Sequence, residues 1–113
     1  MHEYSIVQAL IDRVEKEAAM RDAVAVHKLS VRIGELSGVE TTLLHTAFMT
    51  FREQTICSNA ELDIRAIEAL WACSKCEAPV VKGGPLRCSV CGSPAKLCQG
   101  DEIMLDRIEM EVA

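Results

Sequence analysis

Cys73-Ser74-Lys75-Cys76 and Cys88-Ser89-Val90-Cys91 are two Cys-x-x-Cys pairs separated by Glu77 to Arg87, and their reading decides the fold of this part of the chain. One pair grips one side of a metal ion. The intervening loop folds back so that the second pair closes a tetrahedron, and four thiolates so arranged suit structural zinc. A closed four-sulfur site leaves no open position for a substrate, so the expected role is to staple the chain rather than to catalyse. The ribbon is expected to run from Trp71 to Cys98, with Pro79, Gly83, Gly84, Pro85, Gly92 and Pro94 at its turns. It contains no histidine, which excludes a mixed Cys/His site.

Outward from the ribbon, the pattern changes from turns to regular elements. From Ser5 to about Met20, Ile6, Val7, Leu10, Ile11, Val14 and Ala18 recur at helical spacing. Ser5 and Gln8 form a candidate capping box, with Met1 to Tyr4 as a short arm before it. Lys28 to Glu35 alternates, with Leu29, Val31 and Ile33 on one face, and reads as a half-buried strand. After a Ser37-Gly38 turn, Leu43, Leu44, Ala47, Phe48 and Phe51 mark a second helix ending near Gln54; Ser37 and Glu40 form a candidate capping box at its start. Glu61 to Ile67 and Glu102 to Val112 read as further strands. In the last strand the apolar phase changes between Ile103/Leu105 and Ile108/Met110/Val112, which implies a bulge or two buried faces.

The expected architecture is α+β: two helices packed on a small three-stranded sheet, with an inserted four-cysteine zinc ribbon. Residues 1–70 plus 99–113 form the body and 71–98 the insertion.

Composition narrows the function. The chain of 113 residues has 17 acidic against 12 basic residues, a net charge of −5, and shows no basic stripe, which argues against nucleic acid as the main partner. The charged start MHEYSIVQAL is not expected to be a signal peptide, and no apolar run is long enough to span a bilayer. A cytoplasmic setting with reduced thiols is expected. Six cysteines would otherwise allow three disulfides, which the paired spacing and the charged start disfavour.

His2 is the second distinctive residue. The terminal amine, the His2 amide nitrogen and the imidazole can close consecutive chelate rings on one ion. A planar nitrogen set suits Ni(II) or Cu(II), and carboxylate help from Glu3 suits a six-coordinate ion. Taken alone, His2 reads more simply as an unengaged terminal residue. Cys57 and Cys98 lack a paired spacing and read as buried or incidental thiols. His27 and His45 read as structural or surface residues, and Trp71 as packing where the ribbon meets the body. No Ser-His-Asp set, phosphate-cradling glycine loop or carboxylate dyad is recognisable.

Met1-His2-Glu3-Tyr4-Ser5, Val31-Arg32-Ile33-Gly34-Glu35-Leu36-Ser37-Gly38-Val39-Glu40, and the cysteine quartet followed by Gly92-Ser93 and Gln99-Gly100 together resemble the HypA/HybF family, in order and over essentially the whole chain. The resemblance implies a non-enzymatic nickel metallochaperone of [NiFe]-hydrogenase maturation. It further implies that His2 is the essential nickel ligand, with Met1 and nearby groups completing a labile site. Glu3 matches the family's acidic third position, and Glu40 falls where the family places an acidic residue beside the nickel. Cys73, Cys76, Cys88 and Cys91 carry over as zinc ligands. The implied partners are a HypB-type GTPase and the hydrogenase large subunit, with urease maturation served by some members. Rubredoxin-like iron is an alternative for the cysteines, since Cys88-Ser89-Val90-Cys91-Gly92 resembles such a knuckle, although a rubredoxin usually stands without an α/β body. A zinc-ribbon adaptor without transferable metal, and a redox protein, are the other functional classes that the cysteines allow.

Overall fold

Helix α1 (Glu3–Met20) opens the computed structural model, which describes residues 3–113. Its apolar stripe buries Val7, Leu10, Ile11, Val14 and Ala18, the face expected from their spacing. The helix begins before the expected Ser5 cap, so Glu3 and Tyr4 belong to the helix rather than to an arm; Met1 and His2 lie outside the described residues. A tertiary contact explains the earlier start. The Tyr4 ring meets Phe51 edge to face at 5.1 Å between centroids, which ties the first turn of α1 to the end of α2 (Thr41–Phe51). Glu3 also puts a carboxylate in that first turn, where the helix dipole favours it.

Strand β1 (Ala23–Gly34) is longer than the Lys28–Glu35 alternation suggests. Its first half was hidden because Val24 and His27 are extra residues in its pairing with β6 (Ile103–Val112), and each breaks the period of two. The phase change in β6 has the same cause: Ser30 pairs with Arg107 and Val31 with Leu105, so Asp106 is the bulged residue. Both Asp106 carboxylate oxygens accept from Arg32 Nε, at 2.8 and 2.9 Å. Strand β2 (Glu61–Ile67), as expected, runs parallel to β1 on its other side, with α2 as the crossover, giving the order β2-β1-β6.

Both helices cover one face of this sheet. Leu44, Ala47 and Phe48 of α2 join the α1 stripe over Val26, Leu29, Val31, Ile33 and Leu62. Full burial of a side chain such as Phe48 or Leu29 contributes about 1.5–3 kcal/mol. Between β2 and β6 the chain builds a second sheet, β4-β3-β5, from β3 (Leu70–Cys73), β4 (Pro79–Val80) and β5 (Ala95–Gln99). The molecule is elongated, 57 × 26 × 16 Å with a radius of gyration of 18.0 Å. A single compact body of this length would have about 13 Å.

Three backbone segments cross where the two sheets meet. Gly34 N donates to Glu102 O (2.7 Å), Glu35 N to Ile67 O (2.8 Å) and Leu36 N to Gly100 O (2.6 Å). The Glu35 carboxylate adds a clamp, accepting from Ala69 N at 2.8 Å and from the Lys82 ammonium. The Lys82 hydrogen bond first, and the Ala69 N–H next, hold the Glu35 carboxyl below its ordinary 4.5. A depressed carboxyl stabilises the fold above its unfolded pKa, and that contribution is lost as pH falls through the lower folded value. Lys82→Ala should therefore move the Glu35 carboxyl titration, followed by carboxyl-carbon NMR, back up toward 4.5. An unchanged midpoint would mean that the ammonium does not govern it.

Candidate metal centres

Each cysteine pair closes a tight knuckle. Glu77 N donates to Cys73 O at 3.1 Å, and Gly92 N to Cys88 O at 3.0 Å. Within these turns the amides of Lys75 and Cys76 both lie 3.4 Å from Cys73 Sγ, and Val90 N lies 3.4 Å from Cys88 Sγ. The knuckles face each other, with Cys73 Sγ 3.3 Å from Cys91 Sγ and Cys76 Sγ 3.6 Å from Cys88 Sγ. All four sulfurs lie within 4.8 Å of one another. Zinc–sulfur bonds of about 2.3 Å in a tetrahedron require sulfurs about 3.8 Å apart, inside that range.

The electrostatics also favour a cation. Backbone N–H groups of Cys76 and Lys75 bring the Cys73 thiol down to about 6, and those of Cys91 and Val90 lower Cys88. At Cys76 the Ala78 N–H also lowers the pKa, but hydrogen bonds with the Cys73 and Cys88 sulfurs and burial outweigh it and push the thiol up to about 11. Backbone donors thus favour the thiolate form at Cys73 and Cys88, while Cys76 resists ionisation beside them. A divalent cation among the four removes that conflict.

The second candidate region lies at the start of α1. Glu40 N donates to Glu3 Oε2 at 3.1 Å, so the beginnings of α1 and α2 meet. The expected Ser37–Glu40 capping box does not form. Glu40 is itself the N-cap, its carboxylate accepting from Thr42 N at 3.2 Å, while Ser37 Oγ accepts from Val39 N at 3.3 Å in a local turn. The two acidic residues singled out in the sequence are thus brought together. Met1 and His2, the other residues of that set, fall outside the described residues.

The remaining candidates separate cleanly. Cys57 is fully buried, and burial, with Glu15 nearby, pushes its thiol up to about 11, so it is protonated and inert at neutral pH. Cys98 lies within β5 and is exposed. His27 Nε2 is 3.2 Å from Glu111 Oε1 at the surface, and His45 is an exposed residue of α2. Trp71 pairs with Val80 and Leu97 inside the ribbon sheet. The Glu35–Lys82 clamp escaped the sequence reading because its partners are far apart in the chain and carry no motif. No helix among the described residues is long and apolar enough to cross a membrane.

The HypA family model, described as hydrogenase/urease nickel incorporation, metallochaperone, matches residues 1–110. A hydrogenase maturation factor HypA of Wolinella succinogenes is 40% identical over 114 residues, covering 98% of this chain and 96% of its own. Its counterpart in Shewanella oneidensis is 37% identical over 115 residues, covering 100% and 98%. The solution structure of the Ni metallochaperone HypA from Helicobacter pylori aligns over the full length of both chains at 33% identity and a TM-score of 0.73. A second solution structure of a HypA protein aligns at 33% identity and a TM-score of 0.80, covering 100% of this chain and 98% of its own.

Proposed function

The chain belongs to the HypA family of nickel-incorporation metallochaperones, and from that premise we propose that it binds Ni(II) through Met1, His2 and Glu3, with Glu40 beside the site, and releases it to a partner. The observation that carries the nickel assignment on this chain is the bond from Glu40 N to the Glu3 carboxylate. It fixes the residue next to His2 against the start of α2, so that two acidic residues stand together at the start of α1. Residues 1–70 and 99–113 act as the nickel-handling body, and residues 71–98 as the ribbon.

The two metals differ in function because their donor sets differ. Zinc held by Cys73, Cys76, Cys88 and Cys91 is enclosed and coupled to local folding. Nickel held by an amine, an imidazole and carboxylate oxygen has few protein ligands, so a partner can take over its coordination shell. The protein acts in the cytoplasm as a carrier rather than an enzyme. It receives or passes nickel with a HypB-type GTPase, for delivery to the [NiFe]-hydrogenase large subunit or to urease maturation proteins.

Calorimetric titration of zinc-loaded protein with nickel, beside the same protein acetylated at its terminal amine, tests this reading. One nickel per chain is expected, lost on acetylation while zinc stays bound. An amine binds nickel only once it has lost its proton, and terminal amines ordinarily titrate at about 7.7–8.0, so affinity should fall as pH drops. Equal binding by both forms would move the site away from Met1 and His2. No binding by either form would leave a zinc-ribbon adaptor without transferable metal.

A further inference from the structure

We propose that the ribbon carries a docking cleft for an extended acidic segment of a partner protein, with Arg87 receiving a carboxylate and Val81 and Pro85 receiving an apolar side chain. The cleft, of about 330 Å³, lies between the β4 turn and the second cysteine knuckle; Pro79, Val80, Val81 and Pro85 form its apolar wall, and Arg87 and Ser89 its polar side.

Val81, on the cleft wall, is 80% exposed, and Leu86 and Val90, outside the lining, are exposed in the same stretch of chain. Single exposed aliphatics are ordinary, but several in the segment that forms a preformed cleft mark a contact surface. Strand β4 lies at the edge of its sheet, so an extended segment can lie beside it.

Charge selects the occupant. Residues 71–98 hold Lys75, Lys82, Arg87 and Lys96 against Glu77 alone, a net of +3 in a chain of net −5. A four-thiolate zinc centre offsets part of that charge, and Lys82 and Lys96 pair with Glu35 and Glu77, so Arg87 is the cation that the cleft itself presents. Arg87 gives Nη1 to Gly92 O at 3.2 Å. Among the described residues its Nε and Nη2 make no hydrogen bond, which leaves guanidinium donors for a carboxylate. Nucleic acid fits less well, because no aromatic side chain lines the cleft for a base to stack on.

The test uses full-length, zinc-loaded, nitrogen-15-labelled protein titrated with a short capped peptide alternating Glu and Leu. Saturable shifts of the Val81, Arg87 and Ser89 amides are expected, weakening as salt rises. Arg87→Glu should lower affinity by at least about tenfold, with zinc content unchanged. Since Arg87 adjoins a knuckle, Val81→Ser, away from the cysteines, should weaken binding as well. Equal binding of a Lys–Leu peptide, no shift at these amides, or unchanged affinity in both variants would overturn the proposal. Saturation of the same amides by an oligothymidylate would reassign the cleft to nucleic acid. Shifts on diluting the protein alone would reassign it to a second copy of the chain. None of these results depends on nickel binding at the amino terminus.

Discussion

Replacing Cys73 with serine is expected to release zinc and unfold the ribbon while the two helices and the β2-β1-β6 sheet stay folded. From Leu70 to Gln99 the buried residues are Cys73, Cys88 and Ser93, so the ribbon has almost no apolar core of its own. Its order is therefore expected to rest on a metal held by the four cysteines. Apparent binding energies of structural zinc in small finger peptides are about 10–16 kcal/mol at pH 7, far more than a segment of this size gains from burial. Cys73 is the most sensitive of the four because it is fully buried and two amides, those of Lys75 and Cys76, prepare its sulfur as a thiolate. A serine hydroxyl does not ionise there and is a poor ligand for zinc. Metal analysis should show zinc lost, and NMR should show collapsed amide dispersion for residues 70–99, with the Leu29 and Phe48 environments preserved. Cys98→Ser is the control, because that thiol is exposed, and should change stability by less than about 0.5 kcal/mol. Retained zinc and an ordered ribbon in Cys73→Ser would refute metal-dependent folding. Chelation of the parent protein should reproduce the same partial unfolding.

The ribbon was legible because two Cys-x-x-Cys pairs encode their geometry locally: the amide donors to the Cys73 and Cys88 sulfurs come from two or three residues further along the chain. The buried face of α1, and β2 with its limits, were legible for a similar reason, since periodicity reports burial directly. In α2 it found Leu44, Ala47 and Phe48 but also took in Leu43 and Phe51, which are exposed, and ran past the helix end at Phe51. Features that depend on a distant partner were not. The first half of β1 lost its alternation to bulges at Val24 and His27, whose register is set by β6. The start of α1 moved to Glu3 because Tyr4 packs on Phe51. Glu40 caps α2 alone, although Ser37 three residues before it had the right identity for a box. In the candidate nickel region, neither spacing nor composition points from Glu3 to Glu40; that link came from the family resemblance, and the hydrogen bond between them is a contact across the fold.

Gly100→Ala is expected to be among the most damaging single changes outside the cysteines, because it strikes the crossing that joins the ribbon to the rest of the molecule. Gly100 has φ +112°, a conformation that L side chains rarely adopt. An added Cβ would also stand 2.5 Å from Ala69 Cα and 2.9 Å from Ala69 N, both backbone atoms that cannot swing away. Strain at such a φ costs about 1–3 kcal/mol, and overpacking of this kind adds a similar amount, so the total is about 3 kcal/mol or more. Two bonds sit beside the clash: Leu36 N to Gly100 O and Ala69 N to the Glu35 carboxylate. Moving Ala69 aside would loosen both, and with them the orientation of the ribbon. Gly83→Ala separates the two causes. Gly83 also has a positive φ, +88°, but an added Cβ there would meet nothing within 4 Å, so only the backbone strain applies. Denaturant unfolding should therefore show a clearly larger loss for Gly100→Ala than for Gly83→Ala, and amide exchange at Ala69 and Leu36 should accelerate in the first variant alone. Equal losses would mean that Ala69 yields and that the crossing is not rigid. Gly34→Ala attacks the same junction from the opposite strand, placing a Cβ 2.2 Å from the Gly100 carbonyl carbon and oxygen. If the close approach of the backbones holds the ribbon in place, Gly34→Ala and Gly100→Ala combined should cost less than the sum of their separate effects, because the first has already forced the segments apart.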